Sequence, residues 1–410
     1  MYDILNGLRI VEGSSFIAAP SCGLNLALLG AEVIRFDAIG GGPDFRRWPL
    51  APGGASLYWE GLNKGKQSIA INLSQPEGRE LAARLVTAPG ENAGLFVTNY
   101  PAEGFLSHAR LAARRADLVT VRVMGWADGR NAVDYTVNAA VGVPAMTGPA
   151  GEGSMPVNHV LPAWDLLAGA QAAFSLLAAE RSRCLTGAGR EIRIPLGDVA
   201  MATLGHLGQI AEVTLSGHDR PRSGNDIYGA FGRDFRTRDG RRVMLVAITA
   251  RQWTSLVQAL ALAVPVAALE AELGLSFDAD EGLRFEHRMR LNPLVEAAVG
   301  ALTLAELDAA LTAHDACWEP YRSLKEALDD DPRFSAANPL FTMMDHPSGH
   351  RYLTPGASVT LTGAARRPPV RAPLLGEHTE EILERLLGLP GHEIARLHDE
   401  GIVASAETAP

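Results

Sequence analysis

Over roughly the first half of the chain, apolar residues form short runs rich in β-branched side chains, separated by segments of helical period. The runs at 8–12, 32–36, 67–73, 94–98 and 118–123 predict strands. Segments 20–29 and 76–86 predict helices, the first stopped by Gly30 and the second opened by Pro76; another helix falls between 98 and 118. Strands alternating with helices predict an α/β fold, a parallel sheet with right-handed crossovers. Ligands of such sheets lie beyond the carboxyl ends of the strands.

The pattern then changes. His159-Val-Leu-Pro-Ala-Trp-Asp165 opens an apolar, small-residue run that predicts a buried helix with Asp165 in its first turn. A carboxylate there meets unpaired backbone N–H groups and the positive end of the helix dipole, an environment expected to hold it ionised and aimed. Where such a site opens onto a cleft, the carboxylate can attack an activated carbonyl; the same placement also serves plain helix capping. A strand at 190–196 and a helix from Asp198 follow. Segment 220–240, rich in Gly, Arg and Asp, reads as a connector or binding loop, 242–248 as a strand, and the stretch to 328 as mixed helices. Prolines and glycines between 339 and 373 suggest a return connection, and 379–387 and 392–401 two amphipathic helices.

A chain of 410 residues predicts two domains. The expected division is a large domain over 1–205, a linker at 206–225, a small domain over 226–330, a linker at 331–350, and a return to the large domain over 351–410. A net charge of -10 counts against nucleic-acid partners, which need a basic footprint. Cys22, Cys184 and Cys317 form no CxxC pair, so neither disulfides nor structural zinc are expected, and each reads as a small buried hydrophobe in a reducing, cytoplasmic setting. The start resembles no secretory leader, no uncharged apolar run is long enough to span a bilayer, and no histidine–carboxylate spacing suggests a metal site.

The first turn, Glu12-Gly-Ser-Ser-Phe-Ile-Ala-Ala-Pro20, lacks the G-x-G-x-x-G that admits a pyrophosphate, and no P-loop occurs. Gly40-Gly-Gly-Pro-Asp-Phe-Arg46-Arg47 joins a flexible loop to two guanidinium groups, a phosphate-binding loop or a solvated one. His159, six positions before Asp165, is expected to line the same cleft.

Several segments together resemble the family III CoA-transferases: Leu5-Asn-Gly-Leu-Arg-Ile-Val-Glu12, Leu29-Gly-Ala-Glu-Val-Ile-Arg-Phe-Asp37, Asn63-Lys-Gly-Lys-Gln-Ser-Ile-Ala-Ile-Asn-Leu73, Asn99-Tyr-Pro101, the Asp165 helix with Arg181 and Thr186-Gly-Ala-Gly189, and Leu375-Gly-Glu-His-Thr-Glu-Glu-Ile-Leu383. The resemblance implies a Rossmann-like large domain built from both chain ends, a smaller α+β middle domain and an interlocked homodimer. It implies Asp165 as covalent nucleophile, CoA contacts at Asn72, Leu73, Asn99, Tyr100 and Tyr135 with Arg46 near the phosphates, and no cofactor, since CoA enters as part of the substrate. Phe16, Ile17, His159 and Trp164 are the expected pocket walls. Ile17 and Ala38 stand where many relatives have glutamine and arginine, which counts against a formyl/oxalyl-type substrate.

Within the family, Gly13-Ser-Ser-Phe-Ile-Ala-Ala-Pro20, the His159–Asp165 segment, Gly224-Asn-Asp-Ile-Tyr-Gly-Ala-Phe-Gly-Arg233 and Trp318-Glu-Pro-Tyr-Arg322 resemble a member that moves CoA between the two carboxyls of one branched, unsaturated C4 diacid. Intermolecular transfer to a free carboxylate, for example from succinyl-CoA, shares the nucleophile and remains open. An α-methylacyl-CoA racemase ranks below both, because no histidine lies between His108 and His159 and the corresponding stretch reads Val133-Asp-Tyr135. A non-catalytic CoA-binding protein ranks lower still.

Overall fold

The computed structural model describes residues 1–151 and 155–406; the last four residues of the expected C-terminal segment lie outside them. The chain forms two units. The first comprises Met1–Val141, His159–Glu212 and the chain from Pro332 onward, and the second Gly142–Asn158 and Val213–Asp331.

In chain order the first unit runs β1 (Arg9–Gly13), α1 (Ala18–Leu28), β2 (Glu32–Asp37), α2 (Leu57–Leu62), β3 (Gln67–Ile71), α3 (Pro76–Val86), β4 (Leu95–Thr98), α4 (His108–Ala112), β5 (Val119–Met124) and α5 (Asp134–Ala140). After α6 (Val143–Met146), which belongs to the second unit, come α7 (Ala163–Thr186), β6 (Arg190–Pro195) and α8 (Leu196–His206). These strands form one sheet in the order β3-β2-β1-β4-β5-β6, all parallel, with Val403–Ala404 added antiparallel at the β3 edge. The expected α/β class is what the structure has. Ile10, Ile34, Ile69, Phe96 and Val121 are buried, as a sheet covered on both faces requires. Strand order reverses between β1 and β4, which puts the crevice of a doubly wound sheet beside the turns after Gly13 and Thr98.

Two features hold this crevice. The first is the contact of α1 with α7. A Cβ on Gly169 would fall 1.9 Å from Ser21 Oγ and 2.6 Å from Ala18 O, so only glycine lets the two backbones approach this closely. The start of α7, and Asp165 with it, is thereby set against the loop leaving β1. The second is a buried ion cluster. Arg35 donates to both oxygens of Asp37 (2.8 and 2.9 Å) and of Asp44 (3.0 and 3.1 Å). Lys66 Nζ donates to both oxygens of Glu12 (2.9 and 3.0 Å) and to the Pro20 carbonyl in α1 (2.9 Å). All five charged side chains are almost wholly buried. Charges so deep are tolerated only when each finds partners.

Elements depart from expectation where local chemistry overrides pattern. The 339–373 connection contains a hairpin, β10 (Phe341–Asp345) with β11 (Arg351–Pro355), whose turn holds the Pro and Gly that read as irregular chain. The 220–240 stretch contains β7 (Phe231–Arg236): Phe231 and Phe235 are buried, and Asp234 is paired with Arg242 and Asn225. β7 belongs to the second unit, where it pairs antiparallel with β8 (Arg242–Ala247), and β8 with β9 (Cys317–Pro320). Helices pack Trp253, Leu291 and Leu307, and a turn packs Phe277, against them. Of the cysteines only Cys22 is buried; Cys184 and Cys317 are exposed, correcting their reading as small buried hydrophobes. Among the described residues no helix is long and apolar enough to cross a membrane, and no group of three or more acidic, His or Cys side chains could hold a metal ion.

Candidate active site

The loop leaving β1 forms one wall of the crevice. Asn99, just past β4, stitches it in place: its side-chain oxygen accepts from Ser15 N (3.1 Å) and its amide donates to Ser15 O (2.9 Å). Phe16 follows with φ +68°, in the left-handed region that non-glycine residues rarely occupy, and its ring is exposed. Ile17 is half-buried.

The glycine loop before Arg46 and Arg47 is pinned. Asp44 is bound by Arg35, and the Phe45 ring meets Trp59 edge-on at 5.0 Å. Arg47 is thus carried out over two rings, with its guanidinium carbon 5.7 Å from the centre of Phe16 and 5.5 Å from that of Tyr58. Arg46 lies exposed on the same loop.

Asp165 occupies the first turn of α7, as expected. Its environment corrects the sequence reading. The helix-start amides are taken by another carboxylate: Asp134 Oδ2 accepts from Trp164 N (2.7 Å) and Asp165 N (3.1 Å). Asp165 is therefore not held ionised by its own helix start. Burial, and then the Asp134 charge, push its carboxyl up to about 6, with Arg47 pulling the other way. Asp165 in turn helps to push up the Tyr58 hydroxyl, so Arg47, Tyr58, Asp134 and Asp165 share one electrostatic neighbourhood.

His159 lies 2.7 Å, through Nε2, from Asp134 Oδ1 rather than from Asp165. Its ring contacts Tyr135 (5.7 Å between centroids) and Trp164 (6.3 Å). Trp164 is buried and donates Nε1–H to Asn138 Oδ1 at 3.1 Å. Tyr135, His159, Trp164 and Asp165 are thus brought together.

Asn72 and Leu73 stand elsewhere, just past β3, two strand spacings or about 10 Å from β1 on the same sheet edge. Asn72 donates to Gly401 O (3.0 Å) and accepts from Ser74. Leu73 and Tyr100 pack on the core, Tyr100 against Phe36.

A cavity of about 500 Å³ opens beside α7. Ile17, Tyr58, Pro162 and Leu166 line it together with Glu60, Lys64, His346 and Tyr352. Burial depresses the Lys64 ammonium to about 8. The sequence marks Arg47 only as one of two guanidinium groups on a candidate phosphate loop, and does not mark Tyr58, Asp134 or Asn138 as site residues. For Asp134 the available signal is adjacency to Tyr135; Tyr58 and Asn138 carry none.

A weakly solvated carboxylate beside a guanidinium can attack a thioester carbonyl. The family model for CoA-transferase family III matches residues 5–379. The chain belongs to the CoA-transferase family III. This family III enzyme is 52% identical over 410 residues, covering the whole of both chains, to the 2-methylfumaryl-CoA isomerase of Chloroflexus aurantiacus. It is 29% identical over 409 residues, 97% of this chain and 98% of the other, to the succinyl-CoA–D-citramalate CoA-transferase of that organism. Among solved structures, a CAIB/BAIF family protein from Brucella suis superposes with a TM-score of 0.74 at 23% identity, covering 94% of this chain and all of the other. That likeness bears on the fold. Membership of the family makes a CoA thioester the substrate class.

Proposed function

We propose that the chain is a 2-methylfumaryl-CoA isomerase, an intramolecular CoA-transferase with Asp165 as its nucleophile. The observation that carries this reading is the 52% identity along the whole chain to the enzyme of that name. The partly buried Asp165, with its carboxyl near 6 and Arg47 close by, supplies suitable chemistry.

Four steps account for the conversion. The Asp165 carboxylate attacks the C1 thioester carbonyl, expelling CoA thiolate and leaving a mixed anhydride. The thiolate attacks the aspartyl carbonyl, expelling the diacid carboxylate and leaving an aspartyl-CoA thioester. The diacid turns over, and its C4 carboxylate attacks that thioester, again expelling thiolate. The thiolate attacks the C4 carbonyl and returns Asp165 as a free carboxylate. CoA, protons and charge balance over the cycle, with no added acceptor. Arg47 is our candidate for gripping the carboxylate that is not reacting, since a guanidinium fork matches carboxylate geometry. Retaining the diacid between the halves replaces a bimolecular encounter, a saving of roughly 7 kcal/mol or more.

Incubation with 2-methylfumaryl-CoA and isotopically labelled free 2-methylfumarate is expected to give the C4 ester without label. Absence of the C4 ester would refute the isomerase reading; abundant label in the ester would favour intermolecular transfer instead.

We also infer a homodimer. α7 exposes Leu166, Leu167, Phe174 (68%) and Leu185 (73%), apolar side chains that a second copy would cover. Light scattering is expected to give twice the chain mass, and the chain mass itself would count against pairing.

A further inference from the structure

We infer that Asp134 is the positioning residue of this site: braced by His159, it occupies the Trp164 and Asp165 amides in the first turn of α7 and so withholds them from the Asp165 carboxylate. The inference rests on Asp165 being the nucleophile and concerns what keeps it reactive.

The geometry is specific. One carboxylate oxygen of Asp134 accepts from both Trp164 N and Asp165 N, at 2.7 and 3.1 Å. The other is 2.7 Å from His159 Nε2. Asp134 is 1% exposed. One turn further along α5, Asn138 accepts from the Trp164 indole at 3.1 Å, so a single helix grips both the backbone and the ring at the start of α7.

Helix-start amides left unpaired seek the nearest acceptor. Without Asp134 that acceptor is Asp165 itself, the carboxylate in the same turn. Hydrogen bonds to an ionised carboxylate lower its basicity, and a less basic carboxylate is a poorer nucleophile. Asp134 prevents this and adds a like charge beside Asp165. Arg47 is the opposing charge, Tyr58 is the remaining titratable neighbour, and His159 acts through Asp134. His159 keeps Asp134 turned so that one oxygen serves the helix.

The test compares Asp134→Ala with the wild-type protein in the isomerisation of 2-methylfumaryl-CoA. The expected result is a loss in kcat of about 100-fold, the scale of misplaced reacting groups, with KM changed less than about threefold. The acid limb of the kcat–pH profile is expected to move to lower pH. A folded variant with wild-type kcat and an unmoved acid limb would overturn the inference. If Asp134→Ala does not fold, His159→Ala and His159→Gln replace it. A loss of about tenfold in kcat with Ala and recovery with Gln, which keeps a donor to Asp134, is then expected. Equal rates for all three proteins would overturn it. Asp165→Ala separates the two levels. If that variant still forms an enzyme-bound CoA adduct, the nucleophile reading fails; if it is inert while the Asp134 and His159 variants match wild type, only the positioning role fails.

Discussion

Asp165→Ala is expected to lower kcat for the conversion of 2-methylfumaryl-CoA by about 10⁴-fold or more, because the covalent route is lost entirely. The enzyme-bound CoA thioester, trapped from the wild-type protein with hydroxylamine, should be absent. A variant that keeps a tenth of the wild-type rate would end the assignment. Asp165→Asn sharpens the test through stability. A carboxyl near 6 in the folded chain binds its proton more tightly than in the unfolded chain, where carboxyls titrate near 4. Folding therefore loses stability as pH rises through that window and does not regain it above. At pH 7.5 the Asn variant, which carries no charge there, is expected to melt higher than wild type while being inactive. The same carboxyl is expected to make the wild-type kcat/KM fall about tenfold per pH unit below about 6, since only the ionised form attacks.

Arg35→Met is expected to destabilise the protein by about 3–5 kcal/mol, the cost of leaving buried carboxylates without their partner. Arg35 alone pairs with Asp37 and Asp44 in the buried cluster and also lies 3.5 Å from Glu12. A methionine fills much of the volume and supplies no donor. Urea unfolding followed by circular dichroism reads the effect as a lower midpoint at unchanged slope. A loss under about 1 kcal/mol would mean that the cluster holds its charges by other means. Asp44 also anchors the loop carrying Arg47, so the variant protein that remains folded should have lowered activity as well.

Periodicity located the sheet because its strands are buried on both faces and read as continuous apolar runs. Asp165 was legible as a first-turn carboxylate because Pro162 and the small residues beyond it mark a helix start. Its partner was not. Asp134 lies 31 residues earlier in another helix, and local patterns do not show which distant carboxylate reaches a helix terminus. The 40–48 loop looked flexible because glycines dominate it, whereas Asp44 and Phe45 tie it down through contacts that depend on tertiary structure. The β10–β11 hairpin was hidden by the glycine and prolines around it, and β7 by charges that pair only once folded.

Phe16 carries a consequence of its own. Its left-handed backbone costs on the order of 1 kcal/mol, which glycine would not incur, while its ring is one of the two surfaces under the Arg47 guanidinium. Chain geometry and support of the Arg47 guanidinium therefore pull position 16 toward different residues. Relieving the backbone with glycine would also remove one of the two rings beneath Arg47.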